Sequence, residues 1–387
     1  MQETFAHMRP FLEEEVPAAI QTLLESLDWS AQLTPFIGDQ ASAQILEGIA
    51  KIQSVQEFQS EVSKPFVQLV LDKTADEVTF SFPEDFDSHG ALFISNHRDI
   101  VLDPSLINMG LLSLGHPTTQ IGIGSNLLST PWVEALVRLN KSFIISRGGT
   151  PREQLMSSAE VAEYVRHVIL TEHSSLWLAH REGRAKDGDD RTSPALIRML
   201  VNSKDGEDWN AMRVHPVTLS YEWDPCDGMK VRELLLRDVN DGEYEKKLGE
   251  DERSMKQGLF GSKGSVHIAF SAPLEWEAPP EGVRPAVNMA NLMDQKIHAG
   301  MKEWPSQHWA ARQLMQVQAT NDEKWPEGWE PDAVTEEVSQ RCIRRLDTIV
   351  EMMGDLSFSR DEIILKWCEI TAAPLCNRAH SAHQEWA

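Results

Sequence analysis

Residues 92–104 read LFISNHRDIVLDP, a short apolar run that ends in a polar and charged turn. An apolar run of this length is typical of a buried strand. His97 follows the run at once, and two carboxylates, Asp99 and Asp103, lie within six residues of it. This is how a general base is placed, because an imidazole can take a proton from a hydroxyl while a carboxylate fixes its tautomer and stabilises the imidazolium.

The chain around this turn alternates short apolar runs with longer helical stretches. One such stretch, residues 151–170, places Leu155, Ala159, Ala162 and Val165 on a single helical stripe. This alternation predicts an α/β domain with a largely parallel twisted sheet, flanking helices, and functional groups at the strand ends. The predicted strands lie at residues 92–94, 121–123, 143–145, 176–178, 214–219 and 266–270.

The regions on either side have helical periodicity, which predicts three parts. Residues 1–74 form an N-terminal helical segment, 75–280 the α/β domain and 281–387 a C-terminal helical appendage. A Pro/Glu-rich break at 275–285 marks the second boundary. The N-terminal periodicity is carried by Val16, Ile20, Leu23, Leu24 and Leu27.

Four of the twelve tryptophans lie in the appendage between Trp304 and Trp329. We expect them to pack the appendage onto the main domain, with a place at a membrane interface as the alternative. The four cysteines show no CxxC pairing, so we expect reduced, buried thiols, although Cys368 and Cys376 could form a bridge in an oxidising compartment.

A formal net charge of −24 argues against non-specific nucleic-acid binding and against strong binding of anionic lipid by a polybasic segment. The sequence has neither the basic and apolar pattern of a signal peptide near Met1 nor an apolar run long enough to span a membrane. These features predict a cytoplasmic protein that touches the inner face of the cell membrane only peripherally. The N-terminal helices or the tryptophan-rich segment would make that contact.

Two further motifs carry cations beside predicted strands. Residues 140–149 place one cation before and one after an apolar strand, and an arginine beside glycines can bind a phosphate bidentately. Residues 181–188 gather three cations and a glutamate around a glycine, which suits an anionic substrate with hydroxyls. Basicity is concentrated here, since residues 138–198 hold ten Lys/Arg against eight Asp/Glu. The candidate binding residues are Lys141, Arg147, Glu182, Gly183, Arg184 and Lys186.

The triplet His97-Arg98-Asp99 also opens the catalytic loop of protein kinases. In a kinase an asparagine stands five residues after the aspartate, and here that position is Pro104. An Asp-Phe-Gly motif and a Gly-rich phosphate loop are absent from the sequence as well. The kinase interpretation is therefore excluded.

In order and spacing the motifs resemble those of the glycerolipid acyltransferases, the glycerol-3-phosphate and lysophosphatidate acyltransferase superfamily. That superfamily carries Asn-His followed by Asp, then Phe-Ile-x-Arg, then Glu-Gly-x-Arg, then a Pro-Val strand with Tyr-Glu. The resemblance extends over about residues 75 to 275. The matching residues are Asn96-His97 with Asp103, Phe143 to Arg147, Glu182-Gly183-Arg184, and Pro216-Val217 with Tyr221-Glu222.

The resemblance implies an O-acyltransferase of phospholipid biosynthesis or remodelling that needs neither a cofactor nor a metal. It would move a fatty acyl group from acyl-CoA or acyl-carrier protein to the hydroxyl of a (lyso)glycerophosphate-type acceptor. His97 would deprotonate that hydroxyl, which attacks the thioester directly, without an acyl-enzyme. The acceptor would be bound by Asn96 together with the candidate binding residues, above all Arg147, Glu182 and Arg184.

Two departures from the family pattern leave alternatives open. Five residues separate His97 from Asp103, where four are usual, so either Asp103 serves across a longer turn or Asp99 takes its role. We favour Asp103, because Asp-Pro recurs at this point in relatives. The third motif, Glu182-Gly183-Arg184, is one residue shorter than the Glu-Gly-x-Arg of the family, so either Arg184 or Lys186 would bind the phosphate.

Two other functions remain in view. A catalytically silent lipid-binding protein of the same fold is suggested by the altered spacing between His97 and Asp103. A thioester or lipid hydrolase would use His97 to activate water, but no Gly-x-Ser-x-Gly elbow or metal-ligand cluster in the sequence supports it.

Overall fold

The computed structural model describes residues 4–26, 38–128, 130–203, 205–247, 249–317, 325–354 and 356–383. At its centre lies a sheet whose strands are β1 (Ala75–Ser81), β2 (Leu92–Ser95), β3 (Gln120–Gly124), β4 (Ser142–Ile145), β5 (Leu176–Ala179), β6 (Val214–Tyr221) and β7 (Gly264–Phe270). The order across the sheet is β1-β7-β6-β2-β5-β3-β4. Neighbouring strands are parallel except β6 and β7, so the predicted α/β fold with a largely parallel sheet is confirmed.

Helices surround the sheet and extend the chain at both ends. In chain order they are α1 (Val16–Ser26), α2 (Asp39–Ile49), α3 (Val55–Phe58), α4 (Lys64–Thr74), α5 (Leu102–Ser113), α6 (Pro131–Leu139), α7 (Pro151–Arg166), α8 (Pro194–Leu200), α9 (Glu207–Ala211), α10 (Asp227–Val239), α11 (Glu250–Phe260), α12 (Pro285–Ala299), α13 (Pro305–Val317), α14 (Glu336–Met352) and α15 (Arg360–His383).

Alternate residues of the central strands face opposite sides of the sheet, as the period of a strand requires. Leu92 and Ile94 of β2 pack into a core with α7, α8 and α12, while Phe93 packs into a second core with α4 and α5. Both faces of β2 are therefore covered. This explains why residues 92–94 are all apolar and do not alternate with polar residues.

The flanking helices form cores of their own. In the N-terminal segment Val16, Ile20 and Leu23 of α1 pack against α6, as the periodicity predicts, while Leu27 lies outside the described residues. At the other end, α13, α14 and α15 pack around α10. Helix α12, which the prediction assigned to the appendage, packs through Met289 and Met293 against the sheet. A helix beyond the predicted boundary at residue 280 thus covers one face of the sheet.

The tryptophans of the appendage pack inward, as expected. Trp304, Trp309 and Trp325 are each less than a tenth exposed, and Trp329 stacks on Trp325 with ring centroids 4.3 Å apart. All four cysteines are buried thiols outside any disulfide, and burial raises the pKa of Cys342 and Cys368 to about 12. None of the helices in the described residues has the length and apolar character needed to cross a membrane.

Candidate functional site

Three of the predicted site residues lie where parallel strands end. Strands β2, β5, β3 and β4 lie side by side and run in the same direction, so their carboxyl ends share one edge of the sheet. His97 follows β2, Glu182 follows β5 and Arg147 follows β4. Open α/β sheets bind their ligands at such an edge.

A buried carboxylate holds the imidazole of His97. His97 Nδ1 lies 2.8 Å from Asp103 Oδ2, and the side chain of Asp103 is fully buried while that of His97 is 13% exposed. Because Asp103 holds Nδ1, the free ring nitrogen is Nε2, which makes no hydrogen bond to any residue that the structure describes. The pair has the arrangement of a general base, with one nitrogen oriented by a carboxylate and the other available.

Asp103 itself is fixed by three more donors. Its Oδ2 accepts hydrogen bonds from the backbone N–H groups of Arg98 at 2.6 Å and Asp99 at 2.9 Å. Its Oδ1 accepts one from the hydroxyl of Tyr221 at 2.8 Å. Burial raises the pKa of Tyr221 well above its usual value, and the charge of Asp103 adds to this, so the phenol keeps its proton and donates it. The carboxylate of Asp103 is thereby held in one position against His97.

Asp99 does not contact His97, so the alternative assignment is corrected. Its Oδ1 accepts hydrogen bonds from the backbone N–H groups of Val101 and Leu102, at 2.9 and 2.8 Å, and so caps the start of α5. Burial raises the pKa of Asp99, and the neighbouring charge of Asp103 adds to this effect. The longer spacing between His97 and Asp103 therefore places a helix-capping residue within the turn.

Arg147 and Glu182 form an ion pair across the edge of the sheet. Their side chains are 31% and 77% exposed, so a ligand from solvent can reach both. The strand order places His97 three strand spacings from Arg147, roughly 14 Å. The turn after β5 bridges this gap, because the N–H of Ala185 donates to the carbonyl of His97 at 2.9 Å. Gly183, in the same turn, is exposed with a φ of 73°, in the left-handed region that favours glycine.

The cations at the far side of this turn face a different part of the molecule. Lys186 donates to Glu233 Oε2 at 2.6 Å, and both line a small cavity between α10 and α11 together with Arg184. The Arg184 guanidinium lies near Asp99 and Cys226, and its buried Nη1 has no hydrogen-bond partner among the described residues. The turn thus separates Arg147 and Glu182 on one side from Arg184 and Lys186 on the other.

Asn96 is not available to a ligand, which corrects its assignment as a binding residue. It is fully buried, and its amide exchanges hydrogen bonds with the backbone of Leu219 at 2.8 and 3.0 Å. The same amide donates to Asp190 at 3.2 Å. Asn96 therefore links the end of β2 to β6. Its amide oxygen and nitrogen are both already hydrogen-bonded, so neither is available to bind a substrate.

Lys141 lies at the opposite edge of the sheet from His97, so it too is corrected as a binding residue. It precedes β4, whereas Arg147 follows the strand. Its Nζ donates to the hydroxyl of Thr118 at 3.0 Å, and burial lowers its pKa. A strand of four residues is roughly 13 Å long, so the cations at its two ends cannot serve one phosphate.

A buried ion pair beside the site was missed at the level of sequence. Arg98 pairs with Asp190, which is fully buried and also accepts from Asn96. His298 of α12 contacts the carbonyl of Asp190 at 2.6 Å, so the helical layer supports the turn that carries His97. Asp190 follows Arg98 by 92 residues, and nothing in the local pattern marks it as a partner.

The chain matches one known protein family. A family model described as Acyltransferase matches residues 77–274. Among solved structures the chain is similar to the 1-acyl-sn-glycerophosphate (LPA) acyltransferase PlsC from Thermotoga maritima, with a TM-score of 0.37 and 11% sequence identity. That match covers 74% of this chain and 95% of the other. Comparison with curated protein sequences gave no match.

Proposed function

Because this chain belongs to the acyltransferase family, whose model spans just over half of its 387 residues, we propose a specific reaction for it. It transfers a fatty acyl group from acyl-CoA or acyl-carrier protein to the hydroxyl of a (lyso)glycerophosphate-type acceptor. The observation that carries this proposal is the contact between His97 Nδ1 and the buried carboxylate of Asp103. It leaves Nε2 free to take a proton at the edge where Arg147 is exposed.

The reaction needs one base and one site for the charge of the acceptor. His97 Nε2 takes the proton of the acceptor hydroxyl, whose oxygen attacks the thioester carbonyl and forms the new C–O bond. The tetrahedral intermediate collapses with cleavage of the C–S bond, and the departing thiolate takes the proton from the imidazolium. Asp103 stabilises the imidazolium, since its Oδ2 accepts a hydrogen bond from the Nδ1–H while it keeps its hydrogen bonds to the backbone.

Arg147 is the residue that we propose binds the acceptor's phosphate. Its guanidinium is partly exposed and is paired with Glu182, a carboxylate that a phosphate can replace. Glu182 would then turn to the hydroxyls of the glycerol. Arg184 and Lys186 lie on the other side of the turn, and Lys186 is paired with Glu233 there, which makes Arg147 the better candidate.

Replacing Arg147 with alanine is expected to raise KM for a lysophosphatidate acceptor about 10- to 100-fold, the cost of losing charge-assisted hydrogen bonds. Initial rates with lysophosphatidate and with a monoacylglycerol that lacks the phosphate measure this effect, and only the first should change. Arg152→Ala is the matched control, since Arg152 is an exposed arginine of α7. An unchanged KM for lysophosphatidate in Arg147→Ala would move the phosphate site elsewhere.

A shallow membrane contact is proposed at the same edge of the sheet. Trp304, Trp309 and Trp325 of the appendage are buried, whereas Leu155 and Met156 near the start of α7 are 72% and 63% exposed. Helix α7 begins a few residues after Arg147, so both side chains lie beside the proposed phosphate site. Apolar side chains at this position would meet the surface in which a lipid acceptor lies.

Sedimentation with phosphatidylcholine vesicles tests this contact without electrostatic repulsion of the acidic chain. We expect the wild-type protein to sediment with the vesicles and the double variant Leu155→Glu, Met156→Glu to remain in the supernatant. The control, Val239→Glu, alters another exposed apolar residue, which lies at the end of α10. Equal sedimentation of all three proteins, or none by the wild type, contradicts the proposed contact.

Product analysis tests the proposed function against its alternatives. The protein is given an acyl-CoA or an acyl-carrier protein thioester, with and without a panel of lyso-acceptors, and the lipids are analysed by mass spectrometry. We expect a new ester that forms only when the acceptor is present. Free fatty acid in both reactions would identify a hydrolase, and thioester binding without turnover would identify a silent lipid-binding protein.

A further inference from the structure

Three potential metal ligands meet at the edge of the sheet opposite His97. Asp87 and His89 precede β2, and His116 precedes β3. One ligand atom from each of the three lies within 4.8 Å of the others. They come from two segments that are separated by 26 residues, so the cluster is created by the fold.

The segment that carries Asp87 and His89 is held in place by Arg213. The guanidinium of Arg213 donates to the backbone carbonyls of Asp87 and His89, at 3.1 and 2.8 Å. It also pairs with Asp87 Oδ2, which leaves Oδ1 as the atom that accepts from His89 Nδ1 at 2.8 Å. The carboxylate therefore presents a fixed oxygen towards the His89 ring.

The third residue is positioned independently. The backbone N–H of His116 donates to Leu111 at the end of α5, and its ring packs edge-on against Phe86 with centroids 5.7 Å apart. The rings of His116 and His89 are also 5.7 Å apart. None of these contacts to His116 uses a ring nitrogen, so its ring can still coordinate.

We propose that Asp87, His89 and His116 bind a divalent transition-metal ion of the zinc type. Two imidazoles and one carboxylate are ligands that suit Zn²⁺, and the exposure of His89 leaves a fourth position open to water. Tetrahedral coordination at about 2.0 to 2.2 Å brings ligand atoms to roughly 3.4 Å from one another. The three ligand atoms lie within 4.8 Å of one another, so a small rotation of the exposed His89 ring can bring them to this separation.

The chemistry of the site distinguishes this metal from the hard cations. Mg²⁺ and Ca²⁺ require several oxygen ligands, and this cluster offers one carboxylate that is already shared with Arg213. The bound ion would join the segment before β2 to the segment before β3. It would therefore stabilise the fold at an edge that is remote from the acyl-transfer site.

Zinc binding by the full-length protein tests the proposal directly. After treatment with a chelator, the protein is titrated with ZnCl₂ in competition with a chromophoric chelator, and its Tm is recorded with and without the ion. We expect one saturable site and a higher Tm with Zn²⁺, but no change with Mg²⁺. His116→Ala and His89→Ala should weaken binding by about tenfold or more.

A surface histidine with a single carboxylate partner provides the matched control. His7 lies 3.1 Å from Glu160 Oε1, and no third ligand from the described residues joins them, so His7→Ala should bind Zn²⁺ as the wild type does. Circular dichroism confirms that each variant is folded. Zinc affinity that is unchanged in both His116→Ala and His89→Ala, or no saturable binding by the wild type, would overturn the proposal.

Discussion

His97→Ala is expected to lower kcat for acyl transfer by about 10² to 10⁴-fold, the contribution of a positioned general base. Without the imidazole, the acceptor hydroxyl must lose its proton to water while it attacks the thioester. KM for both substrates should change much less, because the proposed phosphate contact at Arg147 is untouched. Steady-state kinetics with acyl-CoA and with acyl-carrier protein donors measure the effect.

The His97→Ala result needs a control for the fold. His97 is 13% exposed, and its loss leaves the hydrogen bonds of Asp103 to the backbone and to Tyr221 in place. The melting temperature should therefore stay close to that of the wild type. Activity at a tenth of the wild-type rate or more would show that another group is the base.

Asp103→Asn is expected to lower kcat by a comparable factor, of the order of 10² to 10⁴-fold. The amide oxygen can still accept the hydrogen bonds that reach Oδ2, so the turn keeps its shape. The charge that stabilises the imidazolium is lost, however. The measurement is kcat for the acceptor that product analysis identifies, at saturating donor.

Asp99→Asn is the matched control for this variant, because it makes the same chemical change four residues away. Asp99 caps α5 through its Oδ1, a role that an asparagine also fills. We expect activity close to that of the wild type. A loss as large as that of Asp103→Asn would return the catalytic carboxylate to Asp99.

The fold could be predicted from the sequence because the sheet is buried on both faces. Runs such as 92–94 and 176–178 are apolar throughout, which predicts strands covered by helices, and β2 and β5 are observed there. The pairing itself could not be predicted. The edge strand β1 is parallel to β7, which is antiparallel to β6, and no local pattern contains that reversal.

The candidate site could be predicted where strand ends determine it and not where packing does. His97, Arg147 and Glu182 follow parallel strands and meet at one edge. Asn96 and Lys141 stand in or beside the same motifs, yet one is buried and the other lies at the far edge. A motif identifies residues that are close together along the chain. Whether each of them can bind a ligand depends on the direction in which its side chain points.

The roles of the residues that support His97 and Asp103 could not be predicted from the order of the motifs either. Tyr221 donates to Asp103 across 118 residues, and its hydroxyl has this role only because β6 lies beside β2. Asp190 reaches Arg98 and Asn96 across a similar distance. Such contacts are set by tertiary structure, so a single sequence identifies the base and its carboxylate but not the residues that hold them.

A double-mutant cycle of His97→Ala and Asp103→Asn measures whether the carboxylate acts through the imidazole. If it does, the double variant should retain the same kcat as His97→Ala alone, because Asp103 has no further imidazole to stabilise. If the losses in kcat multiply in the double variant, Asp103 contributes independently of His97. The proposal that Asp103 acts through the imidazole of His97 would then be wrong.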